Sequence, residues 1–266
     1  MSFKFFPILG SCYLLLLALS IAGISADSIS LTNSSLVFVS NISSLNWSGY
    51  VISSTRGSVS DVAGSWLVPT VSCSSGEYSA SSFWVGIDGL QSETVEQIGT
   101  ISECINGTPV YLVFYEFVPK AARVVTRMSI HPGNVISAEV KFDGRFTLSL
   151  ADLTTGESFT KSVKDSLQDR SSAEWIAEAP SSSSLGILPL SDFGAVFYGH
   201  LFTAVAGTNS ATVNGTSGSI GSFGSSVQRI TMLTFSGLVK AQPTPLYTTL
   251  SPDGMSFTVL WFRYGP

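Results

Sequence analysis

The chain after residue 82 reads FWVGIDG (83–89) and, past a short polar linker, TVEQIGT (94–100). The first piece combines aromatic and β-branched residues and then stops at an Asp-Gly pair. That pattern predicts a buried strand over 82–87 that ends in a turn. A third piece, SAEWIAEAP (172–180), also mixes tryptophan and isoleucine with carboxylates, which are rare in aromatic segments elsewhere in the chain.

Strand signals continue outward from this segment along most of the chain. Between them lie turn clusters such as FDGR (142–145) and SPDG (251–254). A weak helical signal covers only 161–170. We therefore predict an all-β, antiparallel β-sandwich, forming a single domain over 46–266. The predicted strands are 47–53, 62–68, 82–87, 110–118, 124–130, 135–142, 145–152, 193–198, 201–206, 227–235 and 256–263.

Charged residues make up 12% of the 266-residue chain, about half of what an average soluble protein carries. The net charge is −5 and no basic cluster is evident in the sequence, so we expect no nucleic-acid partner. With every carboxylate protonated, the 13 Lys and Arg and two His would give only a modest positive charge. Sparse charge therefore suits a protein that works in acid, because self-repulsion stays small.

Residues 1–26 combine Lys4 with an apolar run and then small residues, which is the pattern of a signal peptide. We predict cleavage after Ala26, a short N-terminal extension over 27–45, and a secreted, extracellular protein. An uncleaved segment would instead anchor the chain to a membrane. Removing Cys12 with the signal leaves Cys73 and Cys104, an even pair that we expect to form a disulfide.

The sequence lacks the residue patterns that several classes of enzyme need for catalysis. The chain has only His131 and His200, neither in a zinc-ligand spacing, and it has no Gly-x-Ser-x-Gly elbow and no phosphate-binding glycine loop. We therefore expect no metal and no cofactor. Carboxylates remain as candidate catalysts. A sandwich glycosidase stays open as an alternative, although Glu174 and Glu178 would lie about 13 Å apart on a strand, wider than a glycosidase pair requires.

Together with NWSGYV (46–51), the three pieces quoted above make the chain resemble the glutamic peptidase (eqolisin) family. The resemblance covers most of the chain after residue 46. It implies two curved, packed antiparallel sheets, a secreted acid endopeptidase that acts on polypeptides without a cofactor, and a catalytic glutamine–glutamate pair. The matching positions are Gln97 and Glu174.

This pair suits amide hydrolysis at low pH. Glu174 would take a proton from the attacking water as general base and then pass it to the leaving nitrogen as general acid. The amide NH₂ of Gln97 would stabilise the oxyanion without titrating. Glu178 is interpreted as a secondary residue that partners another group.

The resemblance also implies supporting residues. Asp88 matches an aspartate that supports the site, although a turn aspartate is the simpler interpretation. Trp47 and Trp84 would line the cleft, or else belong to the core. Glu116 matches a carboxylate of the family, and because Tyr115 precedes it on a strand, at most one of the two faces the cleft.

The chain departs from the family pattern where Ile101 and Leu112 replace aspartates and Phe114 replaces a tryptophan. The competing hypothesis is a non-catalytic sandwich that binds carbohydrate or a protein partner. Such a module has no need of a Gln97–Glu174 pair, which is why we favour the peptidase. We expect a monomer.

Overall fold

The computed structural model describes residues 40–164, 168–244 and 250–265. The predicted signal peptide (1–26) and most of the predicted extension lie outside these residues, and so does Cys12. Within the described part of the chain, no helix is long and apolar enough to cross a membrane.

The regular secondary structure of the described residues is almost wholly β-strand. Two short helical segments interrupt them, α1 (His200–Thr203) and a 3₁₀ helix (Ile220–Ser226). The strands are β1 (Ser40–Ser44), β2 (Trp47–Ser53), β3 (Val59–Leu67), β4 (Tyr78–Ile87), β5 (Glu96–Ile105), β6 (Thr108–Phe117), β7 (Arg123–Val124), β8 (Val135–Phe142), β9 (Phe146–Asp152), β10 (Ser158–Val163), β11 (Ser172–Glu178), β12 (Ser181–Ser182), β13 (Gly186–Ile187), β14 (Ala195–Tyr198), β15 (Ser210–Val213), β16 (Thr216–Ser219), β17 (Val227–Leu233), β18 (Val239–Thr244) and β19 (Phe257–Trp261).

Seventeen of these strands pair continuously and form two layers. The first layer has the order β7-β6-β5-β4-β11-β2-β17-β1. The second contains β10-β9-β8-β3, with β15-β16 and β14-β19-β18 alongside. Pairing passes from one layer to the other at β17–β18. Among these strand pairs only β1–β17 is parallel. The predicted antiparallel sandwich is confirmed.

Buried aromatic side chains join the layers by hydrogen bonds as well as by packing. Trp66 on β3 donates to the Thr100 hydroxyl at 3.0 Å, and Trp175 on β11 donates to the Ala63 carbonyl at 2.9 Å. The Tyr198 hydroxyl donates to the Ile176 carbonyl at 2.7 Å. Each polar tip therefore has a partner inside the core, which removes the cost of burying it.

Several predicted elements differ from the structure. Strands 47–53 and 135–142 have the predicted bounds, but 124–130 contains only the end of β7, and 201–206 holds α1 and a turn. The helical signal at 161–170 is wrong for the residues of this range that the structure describes, because β10 occupies Ser158–Val163 as an edge strand beside β9 and residues 164 and 168–170 are not helical. Its exposed polar residues lack the alternation that marks a half-buried strand.

The N-terminal boundary of the sandwich also differs from the prediction. Ser40–Ser44, assigned to the extension, forms β1 and pairs with β17 over its whole length. Ile42 packs against the apolar residues on the outer face of the first layer. At least these five residues therefore belong to the folded domain, because they complete a strand ladder.

The predicted disulfide is confirmed: Cys73 and Cys104 are bonded, with their Cα atoms 5.5 Å apart. It joins the segment after β3 to the end of β5, the strand that carries Gln97. The bond closes a loop with a sequence separation of 31 residues.

Replacing both cysteines (Cys73→Ser with Cys104→Ser) should lower the free energy of unfolding by about 3 to 4 kcal/mol, because the unfolded chain regains its loop entropy. Urea denaturation of the two proteins measures the difference. An unchanged midpoint and slope would show that the disulfide does not constrain the unfolded chain. Wild-type protein treated with reductant should resemble the double variant.

Candidate active site

Antiparallel register places three of the predicted site residues in one row across the first layer, with a glycine between two of them. Glu174 on β11 lies opposite Gly86 on β4, Gly86 lies opposite Gln97 on β5, and Gln97 lies opposite Glu116 on β6. Directly paired residues project from the same face of a sheet. The side chains of Glu174, Gln97 and Glu116 therefore share the outer face of the first layer.

Gly86 separates the two predicted catalytic residues without filling the space between them. A β-carbon at this position would lie 2.9 Å from the Trp84 ring and 3.3 Å from Cβ of Gln97. With adjacent strands about 4.8 Å apart, the Glu174 and Gln97 backbones are separated by roughly 9 to 10 Å. The Trp84 ring, which such a β-carbon would meet, lies over the glycine between the two side chains.

Glu174 is fully buried, and neither of its carboxylate oxygens has a hydrogen-bond partner among the described residues. Its strand neighbours Val51 and Ile176 are also fully buried. Burial raises the pKa of Glu174 well above its usual value, and the charges of Asp88 and Glu96 raise it further. The nearby Ser172 hydroxyl and Leu90 backbone lower this pKa, but by less than burial raises it. Such a carboxyl is a strong base once ionised and holds its proton firmly once protonated.

Gln97 is almost fully buried, and its orientation is set by Glu116. Its NH₂ group donates to the Glu116 carboxylate at 2.8 Å, while its side-chain oxygen has no partner among the described residues. Because a carboxylate only accepts, this contact keeps the NH₂ group, with its second hydrogen, at this part of the face. Burial raises the pKa of Glu116, whereas the Gln97 hydrogen bond and the Ala122 backbone lower it.

Asp88 connects the turn after β4 to the chain that enters β11. Its fully buried carboxylate accepts hydrogen bonds from the backbone N–H groups of Asp169, Arg170 and Ser171 at 2.9, 2.6 and 2.8 Å. The residue adopts φ 71°, a conformation that aspartate tolerates better than most residues. Asp88 thus fixes the start of the strand that carries Glu174. It ends β4 in a turn, as the simpler interpretation expects, and it also binds the backbone of residues 169–171.

A second row on the same face contains Trp47, Glu178, Ser82, Ile101 and Leu112. The Trp84 indole donates to Glu178 at 2.7 Å, and the Asn46 amide donates to its other oxygen at 3.3 Å. Burial raises the pKa of Glu178 to about 7, against the lowering effect of these donors. Trp47 packs edge-on against Trp84, with ring centroids 5.0 Å apart.

Tyr115 is the one predicted site residue that the structure does not bring to this face. It stacks on Phe159 of β10 with ring centroids 5.4 Å apart, on the opposite side of β6 from Glu116. The three departures from the family pattern fall on the site face. Ile101 and Leu112 make this face more apolar than aspartates would, whereas Phe114 keeps an aromatic ring in place of tryptophan. Glu174 and Glu178 share this face of β11 at the roughly 13 Å spacing expected along a strand, too wide for a glycosidase pair.

Sequence reasoning missed two contributors to the site. One is Gly86, whose only signal is its place within FWVGIDG. The other is the backbone of residues 169–171, which carries no side-chain signal at all. In the described portion of the chain, no group of three or more His, Cys, Asp or Glu residues could hold a metal ion.

Comparison with solved structures identifies the same fold elsewhere. Scytalido-glutamic peptidase, solved with a transition-state analogue inhibitor, aligns with a TM-score of 0.65 and 23% identity, covering 82% of this chain and 98% of that one. SCP-B, an eqolisin-family peptidase solved with the tripeptide Ala-Ile-His, aligns with a TM-score of 0.62 and 24% identity. The alignment covers 82% of this chain and 98% of SCP-B. Aspergilloglutamic peptidase from Aspergillus niger aligns with a TM-score of 0.56 and 24% identity. The alignment covers 70% of this chain and 100% of that one.

No curated protein sequence matches the chain significantly. The sequence profile of the Peptidase A4 family, in contrast, matches residues 45–239, which is most of the chain and contains every residue of the two rows. The chain therefore belongs to the Peptidase A4 family, the eqolisin or glutamic peptidases.

Proposed function

We propose that this peptidase is a secreted acid endopeptidase that uses Glu174 and Gln97 as its catalytic pair. The observation that carries the proposal is the row Glu174–Gly86–Gln97, in which a fully buried carboxyl and a nearly buried amide project from the same face on either side of a glycine. Secretion is supported by the signal-like segment 1–26 and by the disulfide, which persists in oxidising compartments.

In the first step, ionised Glu174 takes a proton from a water molecule as the water oxygen bonds to the scissile carbonyl carbon. The carbonyl π electrons move to its oxygen, and the NH₂ group of Gln97 stabilises that oxyanion. In the second step, protonated Glu174 gives its proton to the amide nitrogen and the C–N bond breaks. The products are a carboxylic acid and an amine, and Glu174 is ionised again.

Glu116 and Asp88 act as positioning residues in this scheme. Glu116 orients the Gln97 amide through the 2.8 Å hydrogen bond. Asp88 holds the entry to β11 and contributes a negative charge that raises the pKa of Glu174. Trp47 and Trp84, with Glu178, form the wall of the cleft on the Asn46 side. No cofactor is required, and polypeptides are the substrates.

Glu174→Gln should reduce kcat/KM by at least about 10³-fold, and Gln97→Ala by about 10²- to 10³-fold, because the first removes the proton carrier and the second one oxyanion donor. The assay is cleavage of denatured protein from pH 2 to 7 with pepstatin present. Glu93→Gln, a change at an exposed carboxylate beside the site, is the matched control. Full activity in Glu174→Gln would exclude the proposed mechanism.

Asp88→Asn should move the low-pH limb of the kcat/KM profile to lower pH. Removing the Asp88 charge lowers the pKa of Glu174, so that the base is ionised in stronger acid. The same change leaves backbone N–H groups of 169–171 with poorer acceptors and should cost about 2 to 3 kcal/mol of stability. A lower stability with an unmoved pH profile would assign Asp88 a purely structural role.

Stability should fall as the pH rises from about 4 to 7. Burial raises the pKa of Asp61 to about 6 and that of Glu178 to about 7, so the folded state binds protons more tightly than the unfolded state in this range. Their contribution is fully present below the unfolded pKa values and is lost as each folded pKa is passed. Urea unfolding at each pH measures this slope.

Asp61→Asn provides the internal check on that slope. Asp61 lies on β3 in the second layer, where the charge of Glu139 adds to the effect of burial and Lys141 opposes it. The variant should lose the part of the slope between about pH 4 and 6, while its kcat/KM stays unchanged. Stability that rises with pH over the whole range would contradict the assignment of raised pKa values.

A further inference from the structure

A cavity of about 290 Å³ opens on the outer face of the first layer, on the side of Glu174 that is remote from Gln97. Two isoleucines line it, Ile42 on β1 and Ile230 on β17, and they are direct partners in the parallel β1–β17 pair. Trp47 on β2 and Leu90 in the segment after β4 complete its apolar wall. Three neighbouring strands and the connection between β4 and β5 therefore build the cavity together.

Cross-strand register places this cavity on the same face as Glu174. Ile230 lies opposite Gly49 on β2, and Gly49 lies opposite Ile176 on β11. Ile176 is two residues beyond Glu174 on the same strand, so both side chains project from one face of the sheet. One apolar cluster on that face contains Ile176 together with the four apolar cavity residues, Ile42, Trp47, Leu90 and Ile230.

Residues of the cavity wall also contact the candidate active site. The backbone of Leu90 lies close enough to Glu174 to lower the pKa of its carboxyl. Asn46, another residue of the wall, donates its amide hydrogen bond to Glu178 at 3.3 Å. The cavity and the site therefore share a boundary, and a chain bound at one of them passes directly to the other.

The chemistry of the wall favours an apolar occupant. None of the described residues that line the cavity is charged, and its polar members are serine, asparagine and glutamine side chains. A carboxylate or an ammonium group placed here would lose water without gaining an opposite charge. An apolar side chain would instead remove its own surface and that of the isoleucines from water.

The distance from Glu174 fits a substrate that lies extended across the sheet. Strands β11, β2 and β17 are neighbours, and Gln228 of β17 lies in the same row as Glu174. At about 4.8 Å between strands and about 3.3 Å per residue, Ile230 is roughly 12 Å from Glu174. An extended peptide covers that distance in about three or four residues.

We propose that this cavity is a specificity subsite for an apolar side chain, such as Leu or Ile, of the polypeptide substrate. The inference rests on the proposed function, because it places the scissile bond beside Glu174. Ile42 is the main determinant of the preference: it is half-buried and has surface left for a substrate to cover, whereas Ile230 is almost fully buried already.

The test uses peptides that differ only in having Leu, Asn or Lys three or four residues from the scissile bond, on either side. Leu and Asn have nearly the same shape, so their comparison isolates polarity. We expect wild-type kcat/KM at pH 5 to favour Leu over Asn by about tenfold at one of these positions, as partial burial of a leucine side chain allows. The Lys peptide should be the poorest substrate.

Two variants at Ile42 change the wall in different ways. Ile42→Ala should reduce the preference for Leu over Asn by about threefold, because it removes part of the apolar surface. Ile42→Glu should reverse the order and favour the Lys peptide, since most glutamate side chains are ionised at pH 5. An unchanged preference in folded Ile42→Ala would overturn the assignment even if Ile42→Glu did not fold.

The matched control is Asn41→Glu, which places the same new charge one residue earlier on β1. Asn41 is exposed, does not line the cavity, and projects from the opposite face of the strand. The control should keep the wild-type preference for Leu. A reversal in this variant would contradict the subsite, because the charge would then act without entering the cavity.

Two outcomes separate this inference from the proposed function. If wild-type protein cleaves the Leu and Asn peptides equally at every position, the subsite is refuted and the peptidase mechanism stands. Binding of the same peptides to Glu174→Gln tests the subsite without cleavage. A Leu peptide that binds there no more tightly than the Asn peptide would also overturn it, whereas loss of cleavage alone would count only against the mechanism.

Discussion

The antiparallel register of β11, β4, β5 and β6 is the constraint on which the site depends. A shift of one residue in any of these ladders would turn Glu174 or Gln97 from the outer face into the core between the layers. The register is fixed at several points: the Asp88 carboxylate holds residues 169–171 at the start of β11, Trp175 is bonded to Ala63 in the other layer, and the disulfide ties the end of β5. The position of the proposed catalytic pair is therefore a property of the whole sheet.

Burial of carboxyl groups explains how this site differs from an ordinary polar cleft. Glu174 and Glu178 lie on a face lined by Val51, Ile176 and Trp84, and burial raises the pKa of both. The same low-dielectric surroundings favour their neutral forms and make protonation stabilising. Protonation in acid is therefore stabilising here, and its physical cause is the sparse charge and extensive apolar packing of this sheet.

Charge that is dispersed along the sequence becomes concentrated in the fold. The whole of β8 and β9 lies between Arg123 and Lys161 in the sequence, and the sequence shows no basic cluster. They line one cavity because β10 ends its layer beside the edge of β6. The chemistry of this edge is consequently independent of the net charge of the chain.

The sequence by itself determined the strand-rich class, the paired cysteines and the segments that carry Gln97, Glu174 and Asp88. Local patterning is sufficient for these, because alternation, turn residues and short motifs act over a few residues. It failed at β10 and around 201–206, where tertiary pairing overrides weak local signals, and it omitted β5 and β11 from the expected strands because both of their faces are buried. Only the tertiary structure decided that Gly86 separates the proposed catalytic pair, that Tyr115 faces away from the candidate site, and that β1 completes the first layer. Each of these depends on which strands become neighbours, and the hydrogen-bond register between distant segments is not encoded in any one of them.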